Sequence, residues 1–283
     1  MNTLESLSEL RSVVKDWRRA GLTVGFVPTM GNLHAGHLSL VELAQQRCDK
    51  VVVSVFVNPM QFGPNEDFDC YPRTFQADAE KLAALSVDVV YVPSVSEMYL
   101  NGLKQSVVSV PSALTGLLEG ASRSSHFDGV STVVCKLFNM VQADVAVFGQ
   151  KDYQQLRVIQ QMVQDLNIPI EVVSAPIARD EDGLALSSRN QYLSETERAI
   201  APKLSVVLQD IALAIESGNQ NFIALTEVAT QRLLDEGFNA VDYIQVCDAK
   251  TLQAAERDCQ SLVVLAVARL GNTRLLDNRE VKK

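Results

Sequence analysis

The sequence predicts an α/β fold: a Rossmann-like, doubly wound parallel sheet followed by a smaller C-terminal α+β domain. Three observations carry that reading. Val-rich, nearly unbroken apolar runs alternate with helical patterns through the first half of the chain, as strands buried on both faces of a parallel sheet require. The resulting βαβα order supplies a crossover helix between successive strands. After about residue 176 the alternation stops, and two helical patterns precede a β-hairpin signal.

Strands are expected at 23–27, 50–57, 87–92 and 145–148, with a fifth at 170–174. Helices are expected between them at 34–48, 75–85, 129–141 and 153–166. In the first of these, Leu40, Val41, Leu43 and Ala44 recur at helical spacing. In the C-terminal part, Ser194-Glu195-Thr196-Glu197 is a capping box that opens a long helix to about Glu216. Pro202 lies inside that span and bends or restarts it. A second helix is expected at 222–236, then strands at 241–247, 261–270 and 273–277. Gly271-Asn272 joins the last two as a hairpin turn. The expected domains are therefore 1–176 and 177–283.

A chain of 283 residues, 47% hydrophobic and 21% charged, has the length and balance of a globular protein with a large core. Its net charge of −9 argues against a nucleic acid or an anionic membrane as partner. No apolar run reaches membrane-spanning length, and Glu5 and Glu9 make the first residues unlike a secretory signal. The five cysteines are odd in number, scattered and without a C-x-x-C pair. They read as free thiols in a reducing cytosol, so the expected location is cytoplasmic.

Two of the three histidines fall in one run, Pro28-Thr29-Met30-Gly31-Asn32-Leu33-His34-Ala35-Gly36-His37, between an expected strand and an expected helix. Backbone N–H groups and the helix dipole favour a phosphate there. His34 and His37 are three apart, on one helix face. With 3 His and 14 Gly in the chain, H-x-G-H arises by chance roughly 0.002 times, so the run is a strong motif. Two imidazoles over an anion site suit a nucleotide attacked at its α-phosphate. Zinc ligation and plain helix capping are the alternatives; no obvious third ligand accompanies the pair.

Four further runs are polar where chemistry needs polarity. Phe148-Gly149-Gln150-Lys151-Asp152-Tyr153-Gln154-Gln155 leaves a strand and enters a helix. There Gly149 allows close backbone approach, Lys151 offers a phosphate a point charge, and Gln155 offers its amide to a polar substrate; Asp152 is equally a helix cap. Leu186-Ser187-Ser188-Arg189-Asn190 follows the turn-forming Asp182-Gly183. Its hydroxyls and guanidinium suit a polyphosphate, the alternative being a polar loop. Asn58-Pro59-Met60-Gln61-Phe62 lies just beyond the second strand, where Gln61 can meet hydroxyls or a carboxylate. Arg123-Ser124-Ser125-His126-Phe127-Asp128 precedes a helix; Arg123 and His126 face an anion, or the run is a surface loop capped by Asp128.

Together these runs resemble the pantoate–β-alanine ligases (pantothenate synthetases). The matching pieces are P-T-M-G-x-L-H-x-G-H at 28–37, F-V-N-P-x-Q-F at 56–62, Y-P-R-T at 71–74, H-F-D-G-V at 126–130, F-G-x-K-D-Y-Q-Q at 148–155 and L-S-S-R-N at 186–190. They span both expected domains. The resemblance implies the H-x-G-H nucleotidyltransferase superfamily, with L-S-S-R-N as its second, mobile phosphate-binding motif. The chain departs from the usual pattern at Gln150, commonly Glu; at Ser124-Ser125, commonly Pro-Gly; at Leu186, commonly Met; and at Asn32, commonly Ala.

What the resemblance implies is an ATP-dependent condensation of (R)-pantoate with β-alanine through pantoyl adenylate, releasing AMP and pyrophosphate. It implies His37 as proton donor, with His34, Lys151, Ser188 and Arg189 as further catalytic groups. ATP-contacting positions would be Met30, Gly31, Asn32, Leu33, His34, Ala35, Gly36 and His37; Gly149, Gln150, Lys151 and Asp152; Ala178; and Leu186, Ser187, Ser188 and Arg189. Substrate-binding positions would be Gln61 and Gln155, with Asn58, Arg123 and His126. Mg²⁺ is expected to bind mainly through the ATP phosphates, with no protein metal site. A homodimer is expected, and the smaller domain is expected to close over the active site.

Three rival readings differ in kind. A nucleotidylyltransferase would keep the nucleotide on its substrate and release no AMP. A non-catalytic nucleotide binder would not need His34, His37, Lys151 and Arg189 together. A tRNA synthetase fits neither the acidic charge nor the lack of an evident tRNA-binding domain.

Overall fold

A computed structural model describes residues 1–64, 66 and 68–282. The chain divides into two compact units, Met1–Gln150 with Gln155–Pro176, and Lys151–Gln154 with Ile177–Lys283.

Among the described residues the first unit holds a six-stranded parallel sheet. Its strands are β1 (Asn2–Leu4), β2 (Val24–Thr29), β3 (Lys50–Val55), β4 (Val89–Tyr91), β5 (Val145–Gly149) and β6 (Glu171–Ala175), in the order β1-β4-β3-β2-β5-β6. The chain winds one way from β2 through β3 to β4, and the other way from β5 to β6. This is the expected doubly wound sheet, with its switch point between β2 and β5. Strand β1 lies outside the sequence expectation: Asn2-Thr3-Leu4 has no apolar run, and it is a strand because it pairs with β4, Asn2 opposite Val89.

Both faces of the sheet are covered, which explains the unbroken Val runs. On one face Val27, Val53 and Val147 pack with Val41 and Ala44 of α2 (Ala35–Arg47) and Leu82 of α3 (Phe75–Ala84). On the other, Phe26 and Phe148 meet Phe138 of α7 (His126–Val141) edge-on, with ring centroids 6.3 and 6.2 Å apart. Helix α1 (Leu7–Arg19) joins β1 to β2, and α8 (Tyr153–Asp165) joins β5 to β6. Three short helices, α4 (Val95–Met98), α5 (Ser112–Thr115) and α6 (Leu118–Ser122), fill the connection from β4 to α7.

Helix α7 starts three residues earlier than its sequence pattern suggests, because Phe127 is buried and extends the apolar face backwards. Asp128 therefore lies inside the first turn instead of capping it, and its carboxylate accepts the Ser109 hydroxyl at 2.8 Å.

The second unit is built on an antiparallel sheet of β7 (Ala240–Asp248), β8 (Ser261–Leu270) and β9 (Thr273–Lys282). Leu262, Val264 and Ala266 of β8 pack with Leu204, Leu208 and Ile211 of α10 (Lys203–Glu216) and Leu233 of α11 (Phe222–Asp235). The capping box at Ser194 and Glu197 forms, but the helix it opens, α9 (Glu195–Ile200), stops after six residues. Pro202 then begins α10, so the proline restarts the helix.

Strand β9 runs five residues past the expected end, to Lys282. Asp277 and Asn278 are buried polar residues inside it, and they interrupt the apolar pattern that marks a strand. Asp277 is tolerated there because Arg179 grips both its oxygens, at 2.7 and 2.9 Å. The segment before α9 is a tight hairpin. The N–H of Leu186 donates to the Ala178 carbonyl at 2.9 Å, and Gly183 turns the chain at φ +91°.

Candidate active site

Strands β3, β2 and β5 are neighbours, so their carboxyl ends deliver three loops to one edge of the sheet. The loop after β2 carries the H-x-G-H run. Gly31 and Asn32 are both left-handed, at φ +82° and +50°, a conformation Gly and Asn adopt most readily. The N–H groups of Asn32 and Leu33 then donate to the Asp78 carboxylate of α3, at 2.8 and 2.7 Å. Lys81, one turn on, donates to the Leu33 carbonyl at 2.6 Å.

The chain enters α2 through a reciprocal capping box. His34 is the N-cap, and its Nδ1 accepts the Gly36 N–H at 3.1 Å. The N–H of His34 donates to Nδ1 of His37 at 3.3 Å, and the ring centroids lie 4.1 Å apart. A ring whose Nδ1 accepts carries its proton on Nε2 when neutral. Both histidines therefore present an Nε2–H donor at a helix N-terminus, where the dipole is positive. The capping role weighed as an alternative is real, and it fixes the orientation of both rings.

The loop after β3 begins with Asn58, which is 1% exposed. Its Oδ1 accepts the Tyr99 hydroxyl at 2.6 Å and the Met60 N–H at 3.2 Å. Its Nδ2 donates to the Gly129 carbonyl at 3.1 Å and to Oε1 of Gln61 at 3.3 Å. The Gln61 amide, so oriented, points its Nε2 at the Met30 sulfur, 2.9 Å away. Helix α7 presses on this turn closely enough that a Cβ on Gly129 would collide with the Met60 carbonyl.

Arg123 donates to both oxygens of Glu66, at 2.6 and 2.5 Å, and to Nε2 of His126 at 3.1 Å. Arginine has no acceptor, so Nε2 of His126 accepts. Its Nδ1 carries the proton and donates to the Gln61 carbonyl at 2.8 Å. Burial, reinforced by the Arg123 charge, holds the His126 pKa below its ordinary value. Burial pushes the Glu66 carboxyl up, but the hydrogen bonds and charge of Arg123 outweigh it and leave the pKa lowered.

The loop after β5 holds Gly149 and Gln150, with the Gln150 N–H paired to the Ala175 carbonyl at 2.9 Å. Gln155 stands half-buried on α8.

In the second unit, Lys151, Ser187, Arg189, Asn190, Arg274 and Asp277 line one cleft. Its cations outnumber its one carboxylate, and Arg179 already pairs with that carboxylate. The Asn278 amide donates to the Lys151 carbonyl at 2.8 Å, and the Ser187 hydroxyl accepts the Arg189 N–H at 3.3 Å. Lys151 Nζ lies 3.7 Å from the Asp152 carboxylate. Such a cleft suits phosphate oxygens.

The sequence profile of the pantoate-beta-alanine ligases matches residues 2–280. The chain belongs to the pantoate–β-alanine ligase family. A pantothenate synthetase of Hydrogenovibrio crunogenus is 60% identical to it over 278 residues, 98% of each chain. The crystal structure of pantothenate synthetase from Thermus thermophilus superposes with a TM-score of 0.91 at 43% identity, covering 100% of both chains. The pantoate-beta-alanine ligase of Francisella tularensis, solved with beta-gamma ATP and beta-alanine, gives a TM-score of 0.83 at 34% identity, over 99% of this chain and 97% of that one. As a pantoate–β-alanine ligase the chain is an ATP-using enzyme of pantothenate biosynthesis.

Several of the expected positions have partners within the protein. The Asn58 amide pairs with Tyr99, Gly129 and Gln61, and it sets the orientation of Gln61. Arg123 and His126 face Glu66 and the Gln61 backbone, so they buttress Gln61 in this arrangement. The backbone amides of Asn32 and Leu33 both donate to Asp78. The backbones of Ala178 and Leu186 pair with each other.

Asp78, Lys81, Glu66 and Tyr99 were not singled out by sequence reasoning. One signal was available for Asp78: it lies four residues before the buried Leu82, so it shares the apolar helix face.

Proposed function

We propose that this ligase joins (R)-pantoate to β-alanine in two steps, with the roles of its residues divided by phosphate. In the first, a carboxylate oxygen of pantoate attacks the α-phosphorus of ATP and the bond to the β-phosphate oxygen breaks. Pyrophosphate leaves and pantoyl adenylate remains. In the second, the amine of β-alanine attacks the acyl carbon, the bond to AMP breaks, and the amine loses a proton.

The barrier to the first step is electrostatic, because a carboxylate must approach a polyanion. The observation that carries the reading is the paired Nε2–H edges of His34 and His37 at the N-terminus of α2. They donate to oxygens of the crowded α-phosphate, whose charge grows as the fifth bond forms. His37 acts as proton donor. Lys151, Ser188 and Arg189 meet the β- and γ-phosphates, supported by the cationic cleft that Lys151 and Arg189 share. Met30 to Gly36, Gly149, Gln150, Asp152, Ala178, Leu186 and Ser187 complete the ATP contacts. Gln61 and Gln155 hold pantoate through neutral amides, which bind a hydroxy acid without trapping its carboxylate.

Among the described residues no three His, Cys, Asp or Glu side chains converge as a metal site. Mg²⁺ would be carried by the ATP phosphates, where it would neutralise charge. Residues 177–283 act as a domain that closes over bound ATP. The enzyme works as a homodimer in the cytoplasm. The five free cysteines support a reducing compartment, and among the described residues no helix is long and apolar enough to cross a membrane.

The test is isotope exchange between ATP and pyrophosphate. Exchange should require pantoate and not β-alanine, and full turnover should yield AMP. Exchange that appears only with β-alanine rules out the adenylate order, and ADP in place of AMP rules out attack at the α-phosphate.

A further inference from the structure

The turn that leads into the H-x-G-H run already holds an anion, and it is the protein's own. Successive backbone N–H groups in left-handed or turn conformations form a concave nest that binds phosphates and carboxylates. Gly31 and Asn32 make such a nest, and the carboxylate of Asp78 sits in it. Asp78 is fully buried on α3, and its Oδ2 also accepts the Thr74 hydroxyl at 3.1 Å. The fit is close: a Cβ on Gly31 would lie 3.2 Å from Asp78 Oδ2 and 3.1 Å from Val55. Lys81 closes the other side of the same turn by donating to the Leu33 carbonyl.

We infer that Asp78, with Lys81, is a positioning residue for the adenylation step. The pair clamps three backbone groups of the turn, and Leu33, clamped at both its N–H and its carbonyl, is joined directly to His34. Because His34 is the N-cap whose N–H holds His37, the clamp fixes the entry angle of α2 and the bearing of both imidazoles. The filled nest also bars a phosphate from the turn and leaves it the N-terminus of α2, beneath the histidines. A buried carboxylate here is thus a device for placing the α-phosphate, although it touches no substrate. This inference rests on the reading of His34 and His37 as the groups that act on that phosphate.

The test is a double-mutant cycle read by ATP–pyrophosphate exchange in the intact enzyme, using Asp78→Asn, His37→Gln and their combination, with unfolding midpoints measured alongside. Asp78→Asn keeps the shape but turns an NH₂ or a single acceptor toward two N–H donors. It should lower kcat about 10-fold or more, and the loss should not multiply with that of His37→Gln, because residues acting as one unit are not additive. If Asp78→Asn does not fold, Lys81→Met takes its place in the cycle, since it leaves the buried carboxylate intact. A folded clamp variant with parental kcat, or losses that simply multiply, overturns the clamp while leaving the histidine reading standing. Parental exchange by His37→Gln alone overturns the histidine reading, and the clamp with it.

Discussion

The backbone N–H of His34 donates to Nδ1 of His37, so the ring proposed as the proton donor is also a helix cap. A capping box ordinarily pairs Ser or Thr with Glu or Gln. Here two imidazoles fill both places through their Nδ1 atoms. On the proposed mechanism, folding and catalysis are thereby loaded onto the same two side chains.

That double duty can be separated by choice of substitution. His37→Ala removes both the cap and the Nε2–H donor. Its kcat should fall about 10²–10³-fold, and its stability by about 1 kcal/mol for the lost cap. His37→Gln retains an acceptor at the third helical position, so its kcat should fall similarly while its stability stays near that of the parent. Chemical denaturation beside steady-state kinetics distinguishes the two, and equal destabilisation by both substitutions would contradict the capping account.

Asn58 should behave as a support for Gln61. Asn58→Ala leaves the Tyr99 hydroxyl and the Gly129 carbonyl without their partner. Each unsatisfied buried group costs about 1–3 kcal/mol. Tyr99→Phe removes only one bond and should cost about 1 kcal/mol. Both should raise KM for pantoate, Asn58→Ala more, because the Gln61 amide loses what orients it. Unchanged KM for pantoate in a folded Asn58→Ala enzyme would separate Gln61 from substrate binding.

The acid limb of stability should carry a His126 component. Burial, then the charge of Arg123, lowers its pKa in the folded state from the ordinary 6.5. Glu66 and Glu119 pull the other way without cancelling this. The unfolded chain therefore takes up the proton first as pH falls. Stability from this group is complete above about pH 6.5 and is lost as pH drops through the lower folded value. His126→Gln cannot titrate, so its unfolding free energy should change less than the parent's between about pH 7 and pH 5. Denaturation curves at the two pH values check this, and Glu66 interferes little because its own lowered pKa starts from 4.5.

The sheet and its switch point were readable because buried parallel strands leave continuous Val runs, and β2, β3 and β5 all have them. The turn and helix start in the H-x-G-H run were readable because Gly31 suits a left-handed turn and the run links strand and helix patterns. Less was legible where a polar residue is buried by a partner far away in sequence. The spacing of Asp78 from Leu82 places it on the apolar helix face, but its partners Asn32 and Leu33 lie far away in sequence. The partners of Asn58 and Arg123, Tyr99 and Glu66, are likewise distant in sequence and leave no pattern there. Strand β1 exists through its pairing alone, and β9 hides its second half behind the buried Asp277 and Asn278.

The segment 183–192 combines a paired hairpin, in which Leu186 N–H meets the Ala178 carbonyl, with the short 3-10 turn Ser188–Tyr192. A turn of that length has little intrinsic stability, so it can rearrange while the hairpin below it stays fixed. Bound ATP would place phosphate oxygens against the cleft that Lys151 and Arg189 line. The amides of residues 187–190 should therefore exchange more slowly with ATP present, and those at the base of the hairpin should change little. A mixed anhydride needs exclusion of water, because water competes with the β-alanine amine. Arg189→Ala should raise KM for ATP, slow adenylate formation, and increase release of AMP when pantoate is present without β-alanine. The slowed exchange should also be absent from this variant. If ATP leaves the exchange of 187–190 unchanged and Arg189→Ala matches the parent in KM and AMP release, the loop is structural and takes no part in enclosing the adenylate.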